Sequence, residues 1–260
     1  MTDFNSLIVS ATMAAAAGLV GCFAVMRKMT LAADAFSHVA LPGIGLAVIL
    51  KLNPLVGALM ALLAGSVLIW TVERKTKLSA EAITGVVFSV ALAVGALTAT
   101  GEELIDALFG MPSRMTITEM TFGLAAACAV IVFILRMRDR LLISLVSGEV
   151  AIASGIAVSK LELSFLVAFA LTIALGMRYL GVLLMGSLII IPATVAKRFA
   201  RSIGEMFAIS VGAALFSTMS GTELALWAHR PSGPVIVAIA GSLFFLSLLK
   251  SRRTGARLDG

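Results

Sequence analysis

The sequence predicts an all-α polytopic membrane protein of about nine transmembrane helices, with eight as the alternative, its N-terminus outside and its C-terminus inside. Hydrophobic residues fill 60% of the 260 positions and charged residues only 13%, whereas a soluble domain carries about 25% charge. The mean hydropathy of +1.08 is spread along the whole chain. Residues 1–260 therefore read as a single transmembrane domain, with no soluble domain set apart from it. Apolar runs of about 20 residues, the length that crosses a hydrocarbon core, recur from end to end.

The runs cover residues 4–26, 31–50, 54–72, 82–101, 117–135, 163–177, 179–196, 206–228 and 231–249. The first has no Lys or Arg before Phe4 and no clear cleavage signal after it, so it reads as a span and not as a removable signal peptide. Formal charge enters the runs only at Asp34 in the second, Glu119 at the start of the fifth and Glu223 near the end of the eighth. From Phe165 to Val195 only Arg178 interrupts the apolar sequence, and one straight helix of that length would reach about 45 Å. A break near Gly176 to Gly181 is expected, giving nine spans; a single tilted helix would give eight. The 27 residues from Arg136 to Glu162 form the longest non-spanning stretch, and short helices against the membrane or a partner are expected there.

Of the 20 Lys and Arg residues, Lys51, Arg114, Arg178 and Arg230 fall in one set of alternate loops and the other sixteen in the opposite set. The positive-inside rule then sets the orientation stated above. A net charge of +6 does not make this a nucleic-acid binder, which needs basic residues massed on one water-exposed face. Cys22 and Cys128 both lie in apolar runs and read as small buried hydrophobes, without a disulfide framework or a CxxC knuckle. Glu102, Glu103 and Asp106 crowd one outside loop. They either raise the local cation concentration or form an ordinary solvated loop.

Chemistry concentrates in the second span, Thr30-Leu-Ala-Ala-Asp34-Ala-Phe-Ser-His38-Val-Ala-Leu-Pro42-Gly43. An ionisable residue inside a membrane helix costs at least about 2.5–3.5 kcal/mol, which makes it a functional candidate. Asp34 and His38, four apart, share one helix face. Carboxylate oxygen and imidazole nitrogen suit divalent Mn, Fe or Zn. The alternative is a structural Asp–His hydrogen bond. Pro42 lacks an N–H, so the His38 carbonyl loses its helical partner and a kink is expected. Catalytic constellations are missing: neither GxSxG nor HExxH occurs, and the chain has two histidines, His38 and His229. GxxxxGK[ST] is missing too. No enzyme activity is expected, and any ATP-driven step needs another polypeptide.

The run DAFSHVALPGIGLA resembles the signature of the membrane permeases of the zinc, manganese and iron importer family of the ATP-binding-cassette class. Further matches follow in the same order: ITGVVFSVALAVG, ALFG at Ala107 to Gly110, YLGVLLMGSLIIIPATVAKRFARS from Tyr179 to Ser202, and PSGPVIVAIAGSLFF. The resemblance covers nearly the full length. It implies a permease subunit of the bacterial cytoplasmic membrane, paired with a second copy of itself. A cytoplasmic ATPase and an extracytoplasmic metal-binding protein would be its partners, with a transported divalent metal ion as cargo and no permanently bound cofactor. It also implies that Asp34 and His38 coordinate the metal, and that Lys197, Arg198, Phe199 and Arg201 lie in the stretch that docks on the ATPase; the alternative for those four is a positive-inside anchor. Some zinc-importing relatives carry a second His in the fourth span where this chain has Ser89, and Glu81 stands where relatives often have Asp. Both are possible pathway residues, and the poorer Ser89 ligand leans the reading slightly toward Mn or Fe. An ion-coupled secondary metal transporter, with Asp34 and His38 relaying protons, is the second reading.

Overall fold

The computed structural model describes residues 4–76, 78–98 and 117–249, and the regular elements among them are all α-helices. In chain order these are α1 (Phe4–Met26), α2 (Thr30–Ile49), α3 (Pro54–Lys75), α4 (Ala80–Thr98), α5 (Ile117–Val146), α6 (Gly148–Ala153), α7 (Val158–Leu180), α8 (Val182–Phe199), α9 (Ile203–Trp227) and α10 (Ser232–Leu249). Seven of them, α1, α2, α3, α5, α7, α9 and α10, are long and apolar enough to cross a membrane, and α4 adds a shorter apolar stretch, Glu81–Leu97. The protein is an integral membrane protein whose outer surface is apolar. Phe122, Phe216, Phe245 and Leu246 are exposed, a surface that lipid solvates and water does not.

Helix boundaries follow local chemistry. Asn53 caps α3, its Oδ1 accepting from Leu55 N–H at 2.9 Å ahead of Pro54 at the first helical position. Lys28, Lys51 and His229 adopt left-handed φ values of 59°, 55° and 51° just past α1, α2 and α9. In each case the next residue donates back across the last turn, as Met29 N–H does to the Ala24 carbonyl at 2.9 Å. This is the Schellman closure. It gives His229 a terminating role in addition to its loop position.

The expected break in the run around Arg178 falls at Gly181, whose φ of 89° and ψ of 154° separate α7 from α8. That region is essentially reserved for glycine. Gly181→Ala is expected to cost about 1–3 kcal/mol, seen as a lower melting temperature of the detergent-solubilised protein. An unchanged melting temperature would show that the elbow tolerates a side chain.

One segment departs from expectation. Residues 136–146 continue α5 as one 30-residue helix, because no Gly or Pro follows Gly123 within it. Its length, about 45 Å, exceeds the hydrocarbon core, so its Arg136 to Arg140 end extends beyond. Of the short helices expected between Arg136 and Glu162, only α6 forms, with Ser147 Oγ accepting from Val150 N–H at 3.3 Å.

Helices α1, α2 and α8 form the centres of packing. The spanning part of α1 is 72% buried, against 22% for α5 and for α10 at the rim. Phe23 of α1 meets Phe165 and Phe207 edge-on, with centroids at 6.3 and 5.7 Å. Ser210 Oγ donates to the Gly18 carbonyl at 2.8 Å, and a Cβ on Gly21 would overlap the Ile189 carbonyl of α8. Cys22 is buried as expected, whereas Cys128 lies on the exposed face of α5. Around α2, Gly57 and Gly65 of α3, Gly95 of α4 and Gly186 of α8 each sit against its backbone or side chains. Small residues permit this close approach, which drives helix association where lipid competes with every apolar contact. The buried hydroxyls of Ser37, Ser66 and Thr172 donate to carbonyls four residues back, at 2.9, 2.8 and 2.7 Å, so these three bring no unsatisfied donor into the bundle.

Charges gather at the end of the bundle where α1 closes. The Arg27 guanidinium lies 4.9 Å over the Phe165 ring. Burial pulls its pKa below the usual guanidinium range, opposed by the charges of Glu162 and Glu73. Trp70 Nε1 donates to the Ser159 carbonyl at 3.0 Å and ties α3 to α7.

Candidate metal pathway

Asp34 and His38 lie in the first half of α2, one above the other, with Asp34 Oδ1 4.0 Å from His38 Nε2. That separation is outside hydrogen-bond reach. It is about half an ångström wider than the ~3.4 Å that two bonds of about 2.1 Å at a tetrahedral angle require, a gap that small rotamer changes close. Pro42 lies one turn beyond His38, and α2 continues through it to Ile49.

The two donors sit in different surroundings. The Asp34 side chain is 64% exposed and His38 only 23%. Gly186 of α8 brings its backbone to the far side of Asp34: a Cβ there would stand 3.3 Å from the Asp34 Cα. Phe88 of α4 meets the His38 ring edge-on, with centroids 5.4 Å apart at 67°. His38 Nδ1 is enclosed and has no hydrogen-bond partner among the described residues. An imidazole that ligates through one nitrogen is oriented by what the other one bonds, so this ring is held within the chain chiefly by Phe88.

The other expected pathway residues lie on α4. Ser89 follows Phe88 and is exposed, with its hydroxyl donating to the Gly85 carbonyl at 2.9 Å. Glu81 is exposed in the first turn of α4, about 10 Å along the helix from Phe88. The structure therefore joins Asp34 and His38 and brings α4 to them through Phe88, while Glu81 and Ser89 remain outside that contact. Among the described residues no group of three or more His, Cys, Asp and Glu forms. Among the described residues, Asp34 and His38 are the pair with ligand-type side chains that α2 brings together. Glu102, Glu103 and Asp106 lie outside the described residues.

At the end of α8, Lys197 and Phe199 are exposed and Arg198 is half-buried, its Nη2 donating to the Ser247 carbonyl of α10 at 3.4 Å. Ala200 leaves the helix extended and Arg201 is exposed. Ser202 then caps α9: its Oγ accepts from Glu205 N–H at 3.2 Å, while Glu205 Oε2 accepts from Arg201 N–H at 2.7 Å. This reciprocal cap rigidifies the turn that presents the basic cluster. The cap was not among the sequence expectations, although Ser-x-x-Glu ahead of an apolar run is the signal that could have found it. Phe88 had no such signal, because its role depends on which helix faces α2.

Residues 2–251 match the model of the ABC 3 transport family. The high-affinity zinc uptake system membrane protein ZnuB of Haemophilus influenzae is 30% identical over 255 residues, 96% of this chain and 98% of that protein. The manganese transport system membrane protein MntC of Halalkalibacterium halodurans is 24% identical over 92% of this chain and 83% of its own length. Among solved structures, PsaBC from Streptococcus pneumoniae in complex with Fab superposes with a TM-score of 0.82 at 27% identity, covering 96% of this chain and 91% of that one.

Proposed function

Since the chain belongs to the ABC 3 transport family, we propose that it is the transmembrane subunit of an importer that moves divalent zinc, manganese or iron across the bacterial cytoplasmic membrane at the expense of ATP hydrolysed by a partner chain. The observation that carries this reading is the Asp34–His38 pair on α2, with its carboxylate open to the surroundings of a single chain. A carboxylate exposed on a membrane-spanning helix is costly against lipid. A second copy of this chain facing the first across α2 would cover both pairs and complete an Asp2His2 set, the four ligands a divalent transition metal takes. Metal identity is open to both chemistries. The relatives above are named for zinc and for manganese, and Ser89 in place of a histidine leaves the oxygen-rich option. An extracytoplasmic binding protein would deliver the metal, and the basic turn from Lys197 to Arg201 would receive the ATPase.

Co-reconstitution of the chain with its ATPase and binding protein in liposomes tests the assignment. Metal should accumulate only with internal or external ATP on the ATPase side, and without a requirement for a proton gradient. Uptake driven by a proton gradient without the ATPase would support the ion-coupled alternative and overturn this one. In the same preparation Phe199→Ala should lower transport-stimulated ATP hydrolysis by about tenfold, the loss of one buried aromatic anchor at an interface. Normal stimulated hydrolysis would remove Phe199 from the docking contact.

A further inference from the structure

An apolar groove of about 520 Å³ opens on the flank of the bundle between α8, α9 and α10, lined by Val195, Phe199, Ile209, Gly212, Phe216 and Ser247 among others. It runs along α9 from Ile209 to Phe216, about 10 Å by the helical rise, so it fits within one leaflet of a core about 30 Å thick. All three helices contribute to it near the end where α8 finishes in Lys197, Arg198 and Phe199.

The lip of the groove is basic where α8 ends, and Glu205 in the first turn of α9 is the acidic residue beside it. Arg198 Nη2 donates to the Ser247 carbonyl, which belongs to the lining, at 3.4 Å. Its Nε is enclosed and finds no hydrogen-bond partner among the described residues. A guanidinium has five N–H donors in a planar fork suited to phosphate. Lys197 and Arg201 are exposed beside it. An apolar slot about 10 Å long, ending beside a guanidinium, matches part of an acyl chain and a phosphate.

We propose that the groove between α8, α9 and α10 is a binding site for an anionic glycerophospholipid, one acyl chain lying along Ile209 to Phe216 and the phosphate held by Arg198. The site stands independently of which ion the protein carries. It adjoins the basic turn at Phe199.

The test uses the complete complex, purified in mild detergent, exposed to equal amounts of dioleoylphosphatidylglycerol and dioleoylphosphatidylcholine and read by native mass spectrometry. The wild type should retain phosphatidylglycerol over phosphatidylcholine by about tenfold, the worth of a charge-assisted hydrogen bond to the headgroup. A Cβ at Gly212 would meet no heavy atom within 4 Å, so Gly212→Leu fills the groove without displacing backbone and should lower retained phosphatidylglycerol by about tenfold at unchanged melting temperature. Arg198→Gln should bring the preference between the two lipids close to unity while a lipid is still retained. Equal retention of both lipids by the wild type, or undiminished phosphatidylglycerol on Gly212→Leu, overturns the proposal. So does a change of oligomeric state in Gly212→Leu with lipid retention unaltered, which would mark the groove as a contact between copies of the chain.

Discussion

Replacing Asp34 or His38 by Ala should cut metal uptake by about a hundredfold or more, because losing even an outer partner of a metal ligand costs ten- to hundredfold and in the proposed site these two are the ligands themselves. The measurement is initial uptake of radiolabelled manganese and zinc by cells expressing each variant at equal membrane abundance. Asp34→Asn separates the two readings of the pair. It keeps the size of the side chain and an oxygen that could accept from the imidazole, but removes the charge that a divalent ion needs. A structural Asp–His bond would survive that exchange with little effect, whereas a metal ligand would not. Full uptake in the Ala variants would exclude the pair from the pathway. The 4.0 Å between the two side chains already exceeds a hydrogen bond, in keeping with donors set for a third atom between them.

Substituting Val for Gly43 or Gly57 should destabilise the bundle by about 3 kcal/mol or more, the upper end of overpacking costs. A Cβ on either glycine would overlap the backbone carbonyl of the other across the α2–α3 crossing. A side chain can rotate away from a clash, but a carbonyl in a helix cannot, so the helices must part. The separation would also move the stretch of α2 that carries Asp34 and His38, and transport should fall with stability. Monodisperse yield and melting temperature in detergent report the first effect, and uptake the second. Gly241→Val serves as the control, since no heavy atom lies within 4 Å of its Cβ position. If the Gly43 and Gly57 variants melt like Gly241→Val, the close crossing is not a determinant of the fold.

Much of the site was legible because its chemistry is local. Asp34 and His38 share a face by helical spacing alone, and the charge-poor runs locate the helices to within a few residues at most ends. The elbow at Gly181 could be placed to within a few residues because a single helix through Arg178 would be too long for one ordinary span. Other features were not legible. The extension of α5 to Val146 was obscured by its polar residues, which mark the limit of the apolar run and not the limit of the helix. The contact of Phe88 on His38, the pairing of Gly43 with Gly57, and the groove ending on Arg198 each depend on two or three helices meeting.

By itself the sequence determined that this chain lives in a bilayer, roughly where most of its helices lie, and that Asp34 and His38 share one face of α2. Only the tertiary structure decided which faces of those helices turn inward. The reason lies in the solvent. A helix in water must carry a polar stripe outward and so declares its buried side, but lipid is as apolar as leucine and these helices are apolar all round. Their packing is decided by where small residues let backbones meet, and a glycine in the sequence does not say which carbonyl it will lie against.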